Sequence, residues 1–418
     1  MGSNDKRLAV LARAAQVFEH VSKGTNVLDA LQWPRAVEER FFAARCEKLP
    51  EPEYDVDRER ARQNVIACDE LAMTLDVSDP IQRWLTQVAR SYGDANRLLL
   101  AIGSKRFHAL SRDVYGGPSS PFDGDTTNLD LARHLEERML GENAPRGPSE
   151  HCLQAEELAA RMERRASDVG LEIEVVLDDD LSAKILAGTK RVRVRTGATF
   201  EPIEVEGLFV HEVETHALTA QNGAAQPHVP FLRSGGPRTT RTQEGLAVFA
   251  EFWAHALDVE RMRRIVRRVK LVAQAEEGAS FVDLFRMLRE DGATERDAYL
   301  DAQRICRGGL VEGCAPFTKD SVYLAGFTEV FTFLQVAVRG GAREALELLA
   351  IGRIALEDLA PLHELRALGV LEPPRHVPRW IARWKGLLPF FAFASFLQEI
   401  DLGHVARKHE AILAAMRA

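Results

Sequence analysis

The chain has 418 residues, of which 46% are apolar and 28% charged, and its formal net charge is −8 at pH 7. This composition is that of an ordinary soluble globular protein with enough chain to bury a sizeable core. The negative net charge argues against a protein that binds nucleic acid.

The cysteines and the apolar segments indicate a compartment. Five cysteines are scattered through the sequence without any C-x-x-C pair: Cys46, Cys68, Cys152, Cys306 and Cys314. An odd number of unpatterned cysteines predicts free thiols in a reducing compartment. The start of the chain lacks a cationic and apolar signal peptide, and the longest apolar run, residues 386–397, is too short to span a bilayer. We therefore expect a cytoplasmic protein without a membrane segment.

The N-terminal quarter of the chain has the hydrophobic periodicity of helices. Helices are predicted at the start, from about residue 6, and near residues 35–48, 56–75, 80–91 and 94–114. Asp79-Pro80 and residues 91–94 carry the residue types that break or cap helices. The Gly/Pro/Ser-rich loop at residues 115–121 is a candidate boundary. We predict an N-terminal helical region at 1–116 and a larger domain with C-terminal helices at 117–418.

After two more helices, the spacing of the apolar residues changes from the period of helices to that of strands. Two more helices are predicted near residues 128–140 and 151–168, with a Gly- and Pro-rich linker at 141–148 between them. Short β-rich segments follow at residues 171–177, 182–186 and 190–195, and they predict a small antiparallel sheet. From residue 241 the chain is helical again, with a long apolar helix at 321–338. The fold class is therefore α+β and mainly helical.

The most informative stretch is His211-Glu212-Val213-Glu214-Thr215-His216, which is followed by Gln243-Glu244-Gly245-Leu246-Ala247. Two histidines and a carboxylate form a zinc donor set, and Glu212 is placed as a base. The histidines are five residues apart instead of four, which separates them by roughly 140° on an ideal helix. Both can reach one metal ion only if the helix contains an extra residue, as in a π-bulge. The strand at 191–195 would lie beside this helix, where its edge could hold an extended peptide.

These blocks, together with Asn222-Gly223 and Gln226-Pro227 between them, resemble the QEGLA-motif proteins. Bacterial members are named flavohaemoglobin expression-modulating, and the eukaryotic relatives are microtubule-associated tyrosine carboxypeptidases, which act on α-tubulin. The resemblance implies a zincin-like metallopeptidase core. It implies that His211, His216 and Glu244 bind Zn²⁺ and that Glu212 is the catalytic acid and base.

Two further carboxylates accompany this set. Glu214 stands where the family pattern has glycine, which would ease a bulged helix. We interpret Glu214 as a solvated residue or as a hydrogen-bond acceptor for a ligand histidine, in preference to a sign of altered activity. Glu251 lies two helical turns after Glu244, so it is either an alternative ligand or a residue that holds a ligand histidine.

Several residues are candidates for contact with a substrate. Tyr323 could donate a hydrogen bond to a tetrahedral intermediate, and otherwise it is a core or surface tyrosine. Arg304, Arg307 and Arg241 are alternatives for binding a terminal carboxylate, since the guanidinium fork matches it, although each could be an ordinary surface arginine. Asn222 lies where the metal-binding helix should end, and it is either a plain cap or a substrate contact.

Residues 261–270 contain six basic side chains, which could meet an acidic peptide or form a solvated face neutralised by Glu260, Glu276 and Glu277. The function predicted from these observations is a zinc-dependent metallopeptidase, a carboxypeptidase that acts on a peptide or protein C-terminus. The exopeptidase assignment rests on the resemblance. Two alternatives stay open: a non-haem iron enzyme with a 2-His-1-carboxylate site, and a regulatory or binding protein with a silent metal site.

Overall fold

A computed structural model of the chain describes residues 3–23, 26–139, 152–179, 181, 183–399, 403 and 407, and most of them are helical. The N-terminal helices are α1 (Ser3–Ser22), α2 (Val27–Ala30), α3 (Arg35–Ala43), α4 (Arg58–Thr74), α5 (Pro80–Leu100) and α6 (Lys105–Tyr115). The Asp79 side chain accepts a hydrogen bond from the backbone N–H of Gln82, which confirms the predicted helix start before Pro80.

The predicted break at residues 91–94 is wrong, because α5 continues through Gly93 to Leu100. Gly93 is buried, and a side chain there would begin 3.5 Å from the Cβ atom of Cys68 on α4. Packing of α5 against α4 therefore outweighs the cost of about 1 kcal/mol for glycine inside a helix. The chain breaks instead at Gly103, which has a positive φ of 76°.

The middle of the chain contains short strands and two helices. The elements are β1 (Pro121–Asp123), β2 (Thr126–Thr127), α7 (Asn128–Met139), β3 (Leu153–Gln154), α8 (Ala155–Asp168), β4 (Glu174–Asp178), β5 (Ile185–Ala187), β6 (Arg191–Arg195) and β7 (Thr199–Phe200). The predicted linker at 141–148 lies outside the described residues, as does residue 182 in the predicted second strand.

The small sheet predicted from residues 171–195 forms, but it is mixed instead of antiparallel, and two antiparallel strand pairs that were not predicted accompany it. Strand β1 pairs with β2 and β3 with β7, both antiparallel. The larger sheet has the order β4-β6-β5, with β5 antiparallel and β4 parallel to β6. A tight turn joins β5 to β6, and β4 occupies the opposite edge of β6, so the antiparallel prediction is wrong for the β4–β6 pair.

The remaining chain is helical. It comprises α9 (Pro202–Leu208), a π-helix (Phe209–Ala217), α10 (Leu218–Ala224), α11 (Pro237–Trp253), α12 (Val259–Glu276), α13 (Phe281–Glu290), α14 (Glu295–Cys306), α15 (Val322–Arg339), α16 (Arg343–Leu349), α17 (Leu359–Ala367), α18 (Arg379–Ala382) and α19 (Leu387–Glu399). Short 3₁₀ turns occur at Pro230–Arg233, Thr318–Ser321, Leu356–Asp358 and Trp384–Gly386.

The predicted apolar helix is α15. Together with the preceding 3₁₀ turn it is the one helix among the described residues that is long and apolar enough to cross a membrane. Of its most apolar window, 56% is buried inside the fold. This is weak evidence for a membrane span, because the core helix of a folded domain has the same length and composition.

The largest hydrophobic cluster surrounds the π-helix and includes side chains from both ends of the chain. Phe18 and Trp84 from the N-terminal helices contact the ring of Phe231, with centroids 4.9 and 5.8 Å apart. Phe209 of the π-helix and Phe249 of α11 belong to the same cluster and are at most 1% exposed. The π-helix and α11 are therefore held by a continuous core, and the division at residue 116 stays a prediction.

Candidate metal centre

The stretch with both histidines forms the wider helix that its spacing predicts. Residues Phe209–Ala217 are a π-helix, and the Thr215 hydroxyl donates to the carbonyl oxygen of Val210, five residues earlier, over 2.8 Å. The extra residue in the turn places both imidazoles on one side of the helix. The ring centroids of His211 and His216 are 4.9 Å apart, with the planes nearly perpendicular at 85°.

A carboxylate from α11 completes this group. Oε2 of Glu244 lies 3.5 Å from Nε2 of His211 and 3.7 Å from Nε2 of His216. One ligand atom from each residue lies within 4.8 Å of the other two, and this is the one such group of three that the described part of the chain contains. Donors about 2.0–2.2 Å from a tetrahedral zinc ion are spaced only slightly more closely.

The ionisation and hydrogen bonding of Glu244 also suit a bound cation. Its Oε2 atom is buried and accepts no hydrogen bond of normal geometry from any described residue. Its Oε1 atom accepts a 2.7 Å hydrogen bond from Nζ of Lys319. Burial opposes the charge, yet Lys319 and both histidines hold the pKa of Glu244 well below its usual range. Glu244 is therefore an ionised carboxylate with one oxygen left for a metal ion.

His211 is oriented by Glu251. Its Nδ1 atom lies 2.6 Å from Oε1 of Glu251, which leaves Nε2 facing the other donors. Arg261 donates two hydrogen bonds of 2.8 Å to the same carboxylate. Burial raises the pKa of Glu251, but Arg261 and His211 outweigh burial and lower that pKa to about 2. This geometry favours the interpretation of Glu251 as a residue that holds the ligand histidine.

Two glycines explain how Glu244 meets Lys319. A Cβ atom on Gly245 would lie 2.2 Å from the carbonyl oxygen of Gly326, and a Cβ atom on Gly326 would lie 2.2 Å from that of Arg241. Helices α11 and α15 can therefore approach closely only without side chains at this crossing. Lys319, in the turn before α15, is thereby brought to the Glu244 carboxylate.

Glu212 lies beside His211 and is 8% exposed. Its Oε2 atom accepts a 3.0 Å hydrogen bond from the backbone N–H of Ala187, the last residue of β5. The strand beside the π-helix is therefore β5. The expectation for residues 191–195 is wrong, because β6 is the central strand and both of its edges are paired.

Tyr323 lies close to this group. Its hydroxyl oxygen is 3.2 Å from Nζ of Lys319, and Lys319 itself contacts Glu244. Three cations face the ring, with Lys319 at 4.8 Å, Arg268 at 5.0 Å and Arg261 at 6.0 Å from its centroid. Such cation–π contacts fix the ring where it is.

Glu214 is not on a solvated face. It is 5% exposed, and its carboxylate forms an ion pair of 2.8 Å with Arg379 of α18. Burial raises the pKa of Glu214, and Arg379 opposes that rise. The residue at this position therefore ties the π-helix to the C-terminal part of the chain.

Most other predicted contact residues are already engaged. Arg304 donates two hydrogen bonds to Asp320, of 2.7 and 3.0 Å, and Arg241 forms an ion pair of 2.9 Å with Glu329. Both guanidinium groups are thus occupied, and we do not retain them as carboxylate-binding groups. Arg307 is 5% exposed, with its guanidinium 5.8 Å from the ring centroid of Phe317.

Asn222 is also structural here. Its amide is 0% exposed and donates hydrogen bonds of 2.7 Å to the carbonyl oxygens of Ala350 and His376. It is therefore closed to a substrate, and it holds α10, which follows the π-helix, to two later segments.

The basic residues of α12 are paired with acidic residues. The pairs are Arg261–Glu251, Arg263–Glu260, Arg264–Glu204, Arg267–Asp291, Arg267–Asp301, Arg268–Asp320 and Lys270–Glu136. This favours the neutralised helix face over a surface for an acidic peptide. The partners differ from those predicted, except for Glu260.

Sequence reasoning missed Lys319 and Arg353 as residues of the site. Lys319 was recognisable only as part of the Lys319-Asp320 pair before Tyr323. Arg353 carries no motif, yet its Nη2 atom lies 3.3 Å from the carbonyl oxygen of His216. Only the fold places it there.

Comparison with known proteins yields a family and several relatives. A family model described as microtubule-associated tyrosine carboxypeptidase matches residues 39–399. Microtubule-associated tyrosine carboxypeptidase 1 of Homo sapiens is 27% identical over 249 residues, which cover 56% of this chain and 49% of the human protein. The Rattus norvegicus protein is 26% identical over 253 residues, again 56% of this chain and 49% of the relative. The chain thus spans about half the length of the curated relatives it matches.

A solved structure was also found. It comes from Colwellia psychrerythraea and is provisionally described as a lipoprotein, with a TM-score of 0.39 and 14% sequence identity over 78% of this chain and 67% of that one. This similarity is too weak to support any inference.

Proposed function

Because the chain belongs to the microtubule-associated tyrosine carboxypeptidase family, as its motifs predicted, we propose that it is a zinc-dependent carboxypeptidase. It would remove a C-terminal residue, of the tyrosine type, from a peptide or protein. One observation carries the proposal: buried His211 and Glu244 and half-buried His216 bring one possible ligand atom each to within 4.8 Å of the other two. Glu212 stands beside them as an acid that is not needed as a donor. This pattern of three donors and a neighbouring carboxylate is that of catalytic zinc sites.

His211, His216 and Glu244 would hold the metal ion. Zinc bound there would supply a Lewis acid that polarises a carbonyl group and lowers the pKa of a bound water. Glu212 would take the proton of the attacking water and deliver it to the leaving amine. Its Oε2 atom is fixed by the N–H of Ala187, which orients the carboxylate for this transfer.

Tyr323 would stabilise the oxyanion. Its hydroxyl can accept a hydrogen bond from Lys319, 3.2 Å away, and its own proton then remains available for donation. A fixed donor aimed at developing negative charge is a large contribution to catalysis of this kind.

Two measurements test the proposal. The purified protein should contain one zinc ion per chain by elemental analysis, and His216→Ala should lose most of it. Peptides that end in tyrosine should lose that single residue, as read by mass spectrometry, while the same peptides with an amidated C-terminus should stay intact.

Different results would separate the alternatives. Iron in place of zinc, with oxygen consumption, would favour the iron enzyme. Internal cleavage of acid and amidated peptides at equal rates would identify an endopeptidase. Full zinc without hydrolysis of any peptide from a C-terminal library would favour the silent site.

A further inference from the structure

Arg353 is a half-buried arginine at the edge of the proposed active site. It lies in the segment that follows α16. Its Nη2 atom is 3.3 Å from the carbonyl oxygen of His216 and 3.5 Å from that of Ala187. It thus reaches the backbone of a proposed metal ligand and the strand that contacts Glu212.

The charge of Arg353 lacks a carboxylate partner. No ion pair within 4.0 Å is formed by its guanidinium among the described residues, and its buried Nε atom donates no hydrogen bond to them. Burial lowers the pKa of Arg353, and the charges of Glu212 and Glu244 oppose this. A partly buried guanidinium whose hydrogen bonds among the described residues go only to carbonyl oxygens is costly to maintain, which points to an anionic ligand.

The position of Arg353 relative to Glu212 indicates which anion it would bind. In the leaving residue, the amine nitrogen and the carboxylate carbon are separated by a single Cα atom, so they lie about 2.5 Å apart. If Glu212 protonates that amine, the group that binds the terminal carboxylate must lie on the same side of the site. Glu212 accepts the N–H of Ala187, and Arg353 approaches the carbonyl oxygen of the same residue.

Arg307 does not meet this requirement. It also lacks a carboxylate partner within 4.0 Å among the described residues, but it packs over Phe317. Burial and Arg304 lower the pKa of Arg307 to about 10, and Asp320 and Tyr323 oppose this. The charges that act most strongly on Arg307 are therefore those of the Asp320 group, whereas Glu212 is the charge that acts most strongly on Arg353.

The segment that carries Arg353 is anchored to the metal-binding helix. The backbone N–H of Arg353 donates a 2.7 Å hydrogen bond to the carbonyl oxygen of Leu232, and a Cβ atom on Gly352 would lie 2.6 Å from the Leu232 Cβ. Asn222 holds Ala350 from the end of α10. The backbone that carries Arg353 is therefore held in place before a substrate arrives, which reduces the entropy lost on binding.

We propose that Arg353 binds the C-terminal carboxylate of the substrate and so restricts cleavage to the last residue of a chain. This inference rests on the proposed carboxypeptidase function. The fork of an arginine can form two parallel hydrogen bonds with a carboxylate, whereas a terminal amide offers one neutral acceptor.

The test compares Arg353→Gln and Arg353→Lys with the native protein on one peptide ending in tyrosine, supplied as acid and as amide. For the acid, Arg353→Gln should lower kcat/KM by about 10- to 150-fold, mainly through KM, since a hydrogen bond to a charged group contributes about this much. For the amide, kcat/KM of Arg353→Gln should be no lower than that of the native protein. On the acid, kcat/KM of Arg353→Lys should lie between those of the native protein and Arg353→Gln, because lysine keeps the charge but lacks the guanidinium fork.

The matched control is Arg233→Gln, which removes the same charge from a nearby arginine that already pairs with Glu19 at 2.8 Å. It should leave the preference for the acid unchanged. Zinc content and circular dichroism of each variant report on the site and the fold independently of activity.

A binding measurement completes the test. In protein carrying Glu212→Gln, calorimetry should show tighter binding of the acid than of the amide, and adding Arg353→Gln should abolish that difference.

If the native chain hydrolyses no peptide, the proposed function fails, and this calorimetric difference alone decides the role of Arg353. If the native chain is active and Arg353→Gln keeps the full preference for the acid, the role proposed for Arg353 is wrong and the proposed function stands. If Arg353→Gln does not fold, an Arg353→Lys protein with an unchanged KM for the acid overturns the proposal.

Discussion

At the residue scale, Glu212 is the acidic side chain whose chemistry can be separated from metal binding. Glu212→Gln should keep both fold and zinc, because the amide has nearly the size of the carboxylate and Glu212 is not one of the three donors. It should lower kcat by about a hundred- to ten-thousand-fold, the usual contribution of a general acid and base. Turnover measured beside zinc content checks this, and near-normal turnover with zinc bound would leave the mechanism without its base.

A second prediction at the residue scale concerns Asp320. It is 1% exposed and pairs with Arg304 and Arg268. Burial opposes its charge, but the two arginines hold the pKa of Asp320 well below its usual range. Asp320→Asn leaves both cations without their partner, so the free energy of unfolding at neutral pH should fall by about 3–5 kcal/mol.

The sign of the pH dependence follows from the same pKa. Below about pH 4, the ordinary pKa of an unfolded aspartate, the unfolded chain binds a proton that the folded chain does not. The stability contributed by Asp320 is therefore present above that pH and is lost as the pH falls. Below pH 4, the Tm of the native protein should fall more steeply with decreasing pH than the Tm of Asp320→Asn. Parallel curves would show that the pKa of Asp320 is the same in the folded and unfolded states, so that the two arginines do not lower it.

How far the site was predictable depends on sequence distance. His211, Glu212 and His216 are neighbours, and Glu244 follows in a recognisable block, so local spacing and family resemblance indicated them. Lys319 contacts Glu244 across 75 residues, and Arg353 contacts His216 across 137. No local pattern encodes such pairs, because they depend on how helices cross.

At the scale of elements, the π-helix and the presence of a small sheet were predictable, but the order and direction of the strands were not. Two histidines five residues apart can serve one site only on a widened helix, so the need for a shared site specifies the local conformation. Nothing comparable specified the order β4-β6-β5. The hydrophobic pattern of a strand gives its faces but does not state which neighbour it pairs with or in which direction.

The crossing of α11 and α15 gives a prediction for an element. Gly245→Ala would place a Cβ atom 2.2 Å from the carbonyl oxygen of Gly326. The helices must separate, which should lower the free energy of unfolding by about 1–3 kcal/mol or more and displace Glu244 from Lys319. Reduced zinc content together with a lower Tm should result.

Gly93→Ala is the control for this substitution. Gly93 also lies inside a helix, but its nearest neighbour would be the flexible end of the Arg97 side chain at 2.8 Å. That variant should keep its zinc and lose little stability. Full zinc content in Gly245→Ala would contradict the requirement for close contact at the crossing.

At the scale of the whole molecule, metal binding should be linked to folding. The three proposed donors come from the π-helix and α11, so they converge only in the folded chain. Zinc should therefore stabilise the native state, by about 4 kcal/mol when its free concentration is 1,000 times the Kd. Chelation should lower the Tm and added zinc should restore it. His216→Ala serves as control, because its Tm should not respond to zinc. A native Tm that ignores chelation would argue against a site formed by folding.

The glycine crossing also affects how related sequences should be read. A search for two histidines, a base and a later glutamate would accept any chain that carries those four side chains. Gly245 and Gly326 contribute no chemistry, yet a side chain at either position would keep the carboxylate from its lysine. A relative that retains all four reactive residues but carries a bulky residue at one of these glycines should therefore be inactive. Such a chain would look like an enzyme in its motif and behave as a pseudoenzyme.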